Sequence, residues 1–588
     1  MSKDVKKKTG YPSIDKPWLK YYDTNHEEYS IPKQSIYQLA KELNKDKMKN
    51  IVFDIRRVAN DYFEEKKITY GDFFDEISKS AKASHSIGIN PNDIVLMLFP
   101  NIPEARTIIY SNSFLGATTY PISPFLPETQ LEKIILENNV DTIFIHSFFW
   151  EKYKSVLNNP ILRNVIVLGN IDSNSSKSKS GLAIKPIFWE EYLNYHKHVK
   201  NSLTSFYEDG HVALIIGTSG TTGVSKGVCL TDENLNAAAL SYKLGKVFEG
   251  SFLDALIPSI SYGAVMSHLQ IIDSKYTYII PELLTNNTAK ALCTIKPDVF
   301  AGGPVHYINI SESDEFNNNM LPKRNIYLSG GATLPKDVEL KLNGVNEQYN
   351  EESIDDNIIV RQGYALSESC GLGSIAKRGA YKFGSVGIPM LFTNISIFTP
   401  DTDEELGYYE KGEICITGFS VMQGYLNNVE ETNKVIKVHK DGKRWIHTKD
   451  IGYMDENGHI FHLERIKNIF MRTGFNVHPS AISEFLNTIP FVKNSYVIGF
   501  EHPQEQCVPI AFVVANEDCG KSNEEIEKYI HEECYKNLEE TSVPYGYVFV
   551  DALPINLGGK IDGKKIQEVS EIDLMKEDKI PKKELFFG

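Results

Sequence analysis

Residues 215–231, IIGTSGTTGVSKGVCLT, constrain the fold more than any other stretch, because an apolar run leads straight into a loop of glycines and hydroxyls that closes on Lys226. The apolar run predicts a buried strand, and the loop predicts a cradle for a polyphosphate. Gly217, Gly220, Gly223 and Gly227 permit backbone conformations that other residues resist, so successive N–H groups can turn toward one anion. Thr218, Ser219, Thr221 and Thr222 add hydroxyl donors, and Lys226 supplies a mobile point charge. A Walker loop is excluded, since GxxxxGK[ST] requires glycine where Ser225 stands and Ser or Thr where Gly227 stands. On composition alone the same residues describe a flexible surface loop, so the rest of the chain has to decide between the two.

A chain of 588 residues exceeds a single hydrophobic core, which predicts two or more domains. From residue 68 the pattern reads helix, Pro-Asn-Asp turn, then a buried strand over 94–99. Further short apolar runs at 142–146, 165–168, 214–217, 276–280, 326–328 and 358–360 alternate with helical stretches, the rhythm of a parallel α/β sheet, whose ligands gather at the carboxyl ends of its strands. The run 172–181, DSNSSKSKSG, reads as a solvated connector. From about 384 to 465 the spacing shifts to short strands and turns, predicting a small β-rich subdomain. A helix from Pro479, strands over 495–499 and 509–515, a charged helix after Ser522 and a strand over 547–550 predict a separate α+β unit. The expected fold is therefore α/β. A large N-terminal domain of α/β subdomains, residues 1–465, includes the β-rich subdomain, and a mobile α+β C-terminal domain covers 466–588. No internal repeat or heptad pattern is evident.

Charge and cysteine usage narrow the function class. Acidic residues outnumber basic ones, 77 to 62, for a formal charge of −15 that disfavours nonspecific attraction to nucleic acid or anionic membrane; a small molecule is the expected partner. The seven cysteines, at 229, 293, 370, 415, 507, 519 and 534, contain no CxxC pair, which argues against a disulfide framework, a zinc site or a redox motif and for a reducing cytoplasm. No secretory signal and no apolar run of membrane-spanning length are expected.

Two later segments also sit at strand ends. Ser329-Gly330-Gly331-Ala332 places two glycines where a planar group can lie against backbone. Gln362-Gly363-Tyr364-Ala365-Leu366-Ser367-Glu368 offers an aromatic face for a purine and a carboxylate suited to Mg²⁺. Taken singly these are a tight turn and a solvated acid. Together with residues 217–227 they resemble, in order and spacing, the TSGTTGxPKG, SGGA and QGYGxTE motifs of the acyl-adenylate-forming superfamily, with Ala365 for Gly and Ser367 for Thr. The resemblance continues through KFGSVGIP (382–389), GEICITG (412–418) and His447-Thr448-Lys449-Asp450, which stands where TGD is usual, Lys449 replacing glycine. It runs on through Glu464-Arg465-Ile466-Lys467-Asn468, similar to GRxKD, to Leu553-Pro554-Ile555-Asn556-Leu557-Gly558-Gly559-Lys560-Ile561, similar to LPxTxxGKxxR with Gly563 in place of arginine. It spans about residues 68–565, and the first sixty residues resemble the lead-in of some bacterial acyl-CoA synthetases.

What the resemblance implies is ATP-dependent activation of an acid to an acyl-adenylate, then transfer to the thiol of CoA. It places Thr218 to Gly223 and Lys226 on the phosphates, and Gly331, Ala332, Gln362, Gly363, Tyr364 and Ser367 around the nucleotide. Asp450 falls on the ribose, Arg465 on the ribose or a phosphate, Glu368 on Mg²⁺, Lys467 at a hinge, and Lys560, with Lys226 and Ser367, at the chemistry. Joining a carboxylate to the α-phosphate forces two anions together, so charge must be cancelled and no side-chain nucleophile is required; accordingly HExxH and HxGH are absent. Tyr262, Gly263, Gly302 and Gly330 fall in the expected acyl pocket. The stretch 258–263, PSISYG, lacks the aspartate that pairs with an amino acid's ammonium, and its apolar surroundings favour a fatty or other apolar acid. The alternatives are loading of an acyl carrier protein and a nucleotide-binding homologue that has lost catalysis.

Overall fold

A computed structural model describes residues 8–23, 29–57, 64–124, 126–171, 185–218, 226–280, 288–313, 326–344, 358–473, 475–502, 505–516, 520–554, 561–563 and 565–566. The expected connector at 172–181 lies outside these residues.

The α/β rhythm resolves into two sheets, in keeping with the expected α/β subdomains. In the first, strands run in the order Gly424–Tyr425, Lys226–Thr231, Val212–Thr218, Thr118–Pro121, Ile94–Leu98, Thr142–His146, Asn164–Leu168, Ile187–Phe188. It is parallel from Val212–Thr218 onward and antiparallel at the Lys226–Thr231 edge. In the second the order is Ile388–Pro389, Ser374–Ile375, Val360–Tyr364, Ile326–Ser329, Val299–Gly302, Phe252–Asp254, Thr277–Ile279, Ile51–Ile55, Lys67–Thr69, parallel throughout its centre. Strands such as Ile94–Leu98 and Thr142–His146 read as unbroken apolar runs because helices cover both faces.

Helices begin where side chains satisfy their first N–H groups. Thr69 and Asp72 form a reciprocal capping box at Tyr70–Ser86, Thr231 and Asn234 another at Asp232–Leu244, and Ser522 and Glu525 a third at Asn523–Asn537. Pro103–Leu115 is buried on nearly every face and joins the two sheets: Arg106, 1% exposed, pairs with Asp254 at the end of Phe252–Asp254 and donates to Asn101 Oδ1 at 2.8 Å. Removing either charge would strand the other in a dry core, at a cost of about 3–5 kcal/mol.

The β-rich unit is a five-stranded antiparallel sheet of Thr393–Phe398, Gly412–Gly418, Arg444–Met454, Ile436–Val438 and Ile460–Arg465. Ile388–Pro389, near its expected start, instead pairs with the edge of the second α/β sheet. Beyond Arg465 a short 3₁₀ turn, Ile466–Asn468, leads to a last sheet built on Val492–His502 and Gln506–Ala515, with helices Pro479–Leu486 and Asn523–Asn537 packed on it. One expected boundary moves. The strand placed at 358–360 starts at Val360 and continues through Tyr364, because Tyr327–Ser329 pair with Val360–Gln362 in parallel while Gly363 and Tyr364 pair with Ile375 and Ser374. Gln362, Gly363 and Tyr364 thus belong to the strand and do not follow it.

Candidate active site

Three neighbouring parallel strands of the second sheet, Val299–Gly302, Ile326–Ser329 and Val360–Tyr364, end side by side, and their carboxyl ends carry Gly302, Gly330 and Tyr364. Gly330 N–H donates to Gly302 O at 3.1 Å, closing the two ends together. A Cβ on Gly330 would lie 3.4 Å from the ring of Tyr262, and one on Gly302 would lie 3.0 Å from the ring of Phe300 and 3.2 Å from His306. Both glycines therefore let rings pack close against the backbone at the strand ends. Tyr262, on helix Ser261–Asp273, is fixed by donating to Leu328 O at 3.2 Å. Ser261 Oγ meets Ser367 Oγ at 3.0 Å, tying that helix to the turn Ser367–Ser369. Gly263 has a stricter requirement: a Cβ there would sit 2.2 Å from Ile257 O, so the backbone itself demands glycine. Gly331 takes φ +89°, the left-handed region that glycine occupies without strain, and leads to the exposed Ala332.

Opposite these ends stands the β-rich sheet. Asp450, 1% exposed in Arg444–Met454, faces its register partner Arg465 at the end of Ile460–Arg465. The Tyr364 hydroxyl donates to Asp450 Oδ2 at 2.6 Å, Arg465 Nε lies 2.8 Å from Oδ1, and His462 Nε2 lies 3.7 Å from the same oxygen. Burial alone would raise the Asp450 pKa, but His462, Arg465 and the Tyr364 hydroxyl together hold it below the ordinary aspartate value, so the carboxylate is ionised. Burial and the Asp450 charge push the Tyr364 hydroxyl well above its usual value. Among the described residues Asp450 Oδ1 has the Arg465 and His462 ion pairs but no aligned hydrogen bond, and an acceptor orphaned in this way on a buried carboxylate suits a sugar hydroxyl. Gln362 serves the scaffold: its Oε1 accepts from Leu334 N–H at 3.0 Å and its Nε2 donates to buried Glu339 at 2.7 Å, which steadies the turn after Gly331. Gly363 has its own reason to be glycine, since a Cβ would lie 3.2 Å from Ser374 O.

A second cluster gathers at the edge of the first sheet. Thr218 and Lys226 are register partners across the hairpin whose connecting residues, 219–225, lie outside those described, and Thr218 Oγ donates to Lys226 O at 3.3 Å. Ser219, Gly220, Thr221, Thr222 and Gly223 fall within that gap, and Lys560 falls in another at 555–560. Glu368 is held from two sides: Tyr425 donates to its Oε1 at 2.6 Å and Met422 N–H to its backbone carbonyl at 2.8 Å. Its Oε2 has no hydrogen-bond partner among the described residues, a donor atom of the type that Mg²⁺ takes. A cavity of about 670 Å³ lined by Thr231, Phe392, Phe419 and Arg444 opens at the far end of Lys226–Thr231, about 17 Å from Lys226 at 3.3–3.4 Å per residue, and takes no part in this arrangement.

Comparison with known proteins shows the family. The family model described as AMP-binding enzyme matches residues 49–426, and that described as AMP-binding enzyme C-terminal domain matches 481–560. The chain belongs to the AMP-binding enzyme family. It is an adenylate-forming acid–thiol ligase of the acyl-adenylate-forming superfamily. The enzyme is 26% identical over 513 residues to 4-coumarate–CoA ligase 1 of Arabidopsis thaliana, covering 85% of this chain and 87% of that one. To the long-chain-fatty-acid–CoA ligase of Bacillus subtilis strain 168 it is 27% identical over 526 residues, covering 86% and 90%. Its fold matches the crystal structure of ATP-bound MatB from Rhodopseudomonas palustris with TM-score 0.75 at 19% identity, over 91% of this chain and 99% of the other. An anthranilate CoA ligase, AuaEII, in complex with anthranoyl-AMP matches with TM-score 0.77 at 16% identity, over 94% and 100%.

Of the residues expected from sequence, the enzyme brings Tyr364, Asp450 and Arg465 into one cluster, Ser367, Tyr262, Gly302 and Gly330 into a second, and Lys226 and Glu368 onto a shared partner, Tyr425. Lys467 lies in the turn two residues beyond Arg465; burial, and then the Arg465 charge, depress its ammonium pKa. Sequence reasoning missed Tyr425, Glu431 and His462, whose chemistry appears only when strands far apart in the chain are paired. Among the described residues no helix is long and apolar enough to cross a membrane.

Proposed function

We propose that the enzyme activates an apolar carboxylic acid with ATP, releases pyrophosphate, and passes the acyl group from the adenylate to the thiol of CoA. The observation that carries this reading is the convergence of Gly302, Gly330, Tyr364 and the Ser367–Glu368 turn at adjacent strand ends, facing Asp450 and Arg465. In this reading the orphaned oxygen of Asp450 accepts from the ribose and Tyr364 presents its ring to the purine. The loop from Thr218 to Lys226 holds the β- and γ-phosphates. Glu368 offers Oε2 to Mg²⁺, which when bound supplies charge neutralisation at the phosphates. Lys560 bridges the attacking carboxylate and the α-phosphate, lowering the repulsion that makes the uncatalysed step slow. Lys467, between the β-rich sheet and the last sheet, is the hinge about which the C-terminal part withdraws Lys560 before the thiol arrives.

The acid lies among Tyr262, Phe300, Gly302 and Gly330, with no carboxylate among them to pair with an ammonium, which supports a fatty or aromatic acid over an amino acid. The relatives named above point to both acid classes, 4-coumarate and long-chain fatty acid. The test is acid-dependent ATP–pyrophosphate exchange across fatty acids of graded length and substituted benzoates and cinnamates, followed by mass-spectrometric detection of the acyl-CoA. Exchange with no acid of either class would refute the substrate assignment. Exchange without transfer to CoA, but with transfer to a phosphopantetheinyl carrier protein, would move the thiol from CoA to a carrier.

A further inference from the structure

Lys226 is already engaged. Its ammonium is ion-paired with the carboxylate of Glu431, 205 residues further along the chain, on the helix Val429–Val435. The other oxygen of Glu431 accepts from Lys434 at 2.7 Å, and Lys226 and Lys434 together hold the Glu431 carboxyl down to about 2. The pair is placed by the fold. Asn428 Oδ1 accepts from Glu431 N–H at 3.0 Å, capping the helix, and Thr432 Oγ accepts from Tyr425 N–H at 2.9 Å, fastening the helix to the strand that pairs with Val228 and Cys229. Tyr425 lies beneath the ammonium, its ring centroid 5.2 Å away, while its hydroxyl holds Glu368. A cation expected to receive phosphate thus rests on a fixed anion.

We propose that Glu431 is a positioning residue that competes with the phosphates of ATP and with pyrophosphate for Lys226, and so weakens both to a matched degree. This inference rests on the reading of Lys226 as a phosphate ligand. An ammonium has three donors and can keep Glu431 while reaching a phosphate. The carboxylate would then stand beside the phosphate charge and repel it, and if the phosphate displaces Glu431, the ion pair must first be broken. Both routes lower affinity. The consequence is a site that does not retain pyrophosphate after the adenylate has formed.

The test is Glu431→Gln, which keeps the shape and removes the charge. Titration calorimetry with pyrophosphate and with ATP, and the KM for ATP, are expected to show two- to fivefold tighter binding, the range of a partly exposed ion pair. The gain should shrink as ionic strength rises, and Glu431→Asp, which keeps the charge, should remain near wild type. Glu430→Gln is the control: Glu430 lies on the same helix and pairs with Lys434 at 2.9 Å, 82% exposed, so the same loss of charge there should leave both affinities unchanged. Unchanged or weakened binding of ATP and pyrophosphate in Glu431→Gln overturns the proposal, as does an equal gain in Glu430→Gln. Lys226→Ala separates the two levels. Wild-type affinity for ATP in that variant refutes the phosphate role of Lys226 itself, whereas lost affinity there with no gain in Glu431→Gln refutes the inference alone.

Discussion

Replacing Tyr364 by phenylalanine isolates one hydrogen bond of the proposed nucleotide site. The ring remains, so packing against His462, with ring centroids 5.7 Å apart, is kept, and only the 2.6 Å contact from the hydroxyl to Asp450 Oδ2 is lost. A hydrogen bond to a charged acceptor contributes about 1.5–3 kcal/mol, and because Asp450 is buried, water does not readily replace the donor. Asp450 retains Arg465 and His462 on its other oxygen, so the lower end of that range applies, and each 1.4 kcal/mol is a factor of about ten. The expected result is a rise of roughly tenfold in the ATP KM measured by pyrophosphate exchange, with the KM for the acid little changed. A double-mutant cycle with Asp450→Asn should show the two effects to be strongly non-additive, since both variants alter one contact. An ATP KM within about twofold of wild type, or simple additivity, would refute the claim that Tyr364 acts through Asp450.

The other expectations are more briefly stated. Lys560→Ala should abolish pyrophosphate exchange while ATP binding largely survives; full exchange in that variant would remove Lys560 from the chemistry. Glu368→Gln should lower turnover and regain part of it at raised Mg²⁺, whereas an unchanged magnesium dependence would leave Glu368 a purely structural acceptor for Tyr425. Lys467→Pro, fixing φ near −65° and biasing Ile466 toward extended geometry, should leave pyrophosphate exchange intact but slow single-turnover transfer from preformed adenylate to CoA; a wild-type transfer rate excludes the hinge role. Buried His211 gives a pH test: burial opposes its charge, but hydrogen bonds to Asp232, 2.9 Å, and to Gly116 O, 2.8 Å, raise its pKa above the ordinary 6.5. Its stabilisation is therefore full below about 6.5 and lost as pH rises through the higher folded-state value. The difference in melting temperature between wild type and His211→Asn should narrow from pH 6 to pH 9; a constant gap contradicts it.

How much of this could be read from sequence depends on how local each constraint is. The strand before residue 219, the helix beginning at Tyr70 and the helix beginning at Asn523 were legible because each follows from a local pattern, an apolar run, an apolar helical spacing and a charged stretch after Ser522. Which strand joins which of the two α/β sheets was not, since both have the same alternation and only pairing distinguishes them. Gly263 is explained by the Ile257 carbonyl 2.2 Å from its missing Cβ, a clash that no local pattern displays. Tyr425 and Glu431 read as an ordinary aromatic and a surface acid until Gly424–Tyr425 pairs with Val228 and Cys229 and brings them to Lys226. The loop at 219–225 and Lys560, which the sequence marks most strongly, lie outside the described residues, so their roles rest on motif and family.

Lys449 shows how a departure from an expected residue is absorbed by the fold. It stands where the similar motif has glycine, and its φ of +59° is the left-handed conformation that glycine takes freely and lysine does not. The strain is offset locally. Glu413, buried in the adjacent strand Gly412–Gly418, accepts from Lys449 N–H at 2.9 Å and from His447 Nδ1 at 2.8 Å, while Lys449 Nζ pairs with Asp401. Burial would raise the Glu413 pKa, but His447 and the N–H groups of Asp401 and Lys449 hold it below the ordinary value, so it stays ionised and keeps accepting all three. Residues 447 and 449 are thereby clamped to the adjacent strand and to Asp401. Asp450, the next residue, is delivered to Tyr364 and Arg465 by backbone that a buried carboxylate has fixed. The geometry that glycine would supply through freedom is supplied here through constraint.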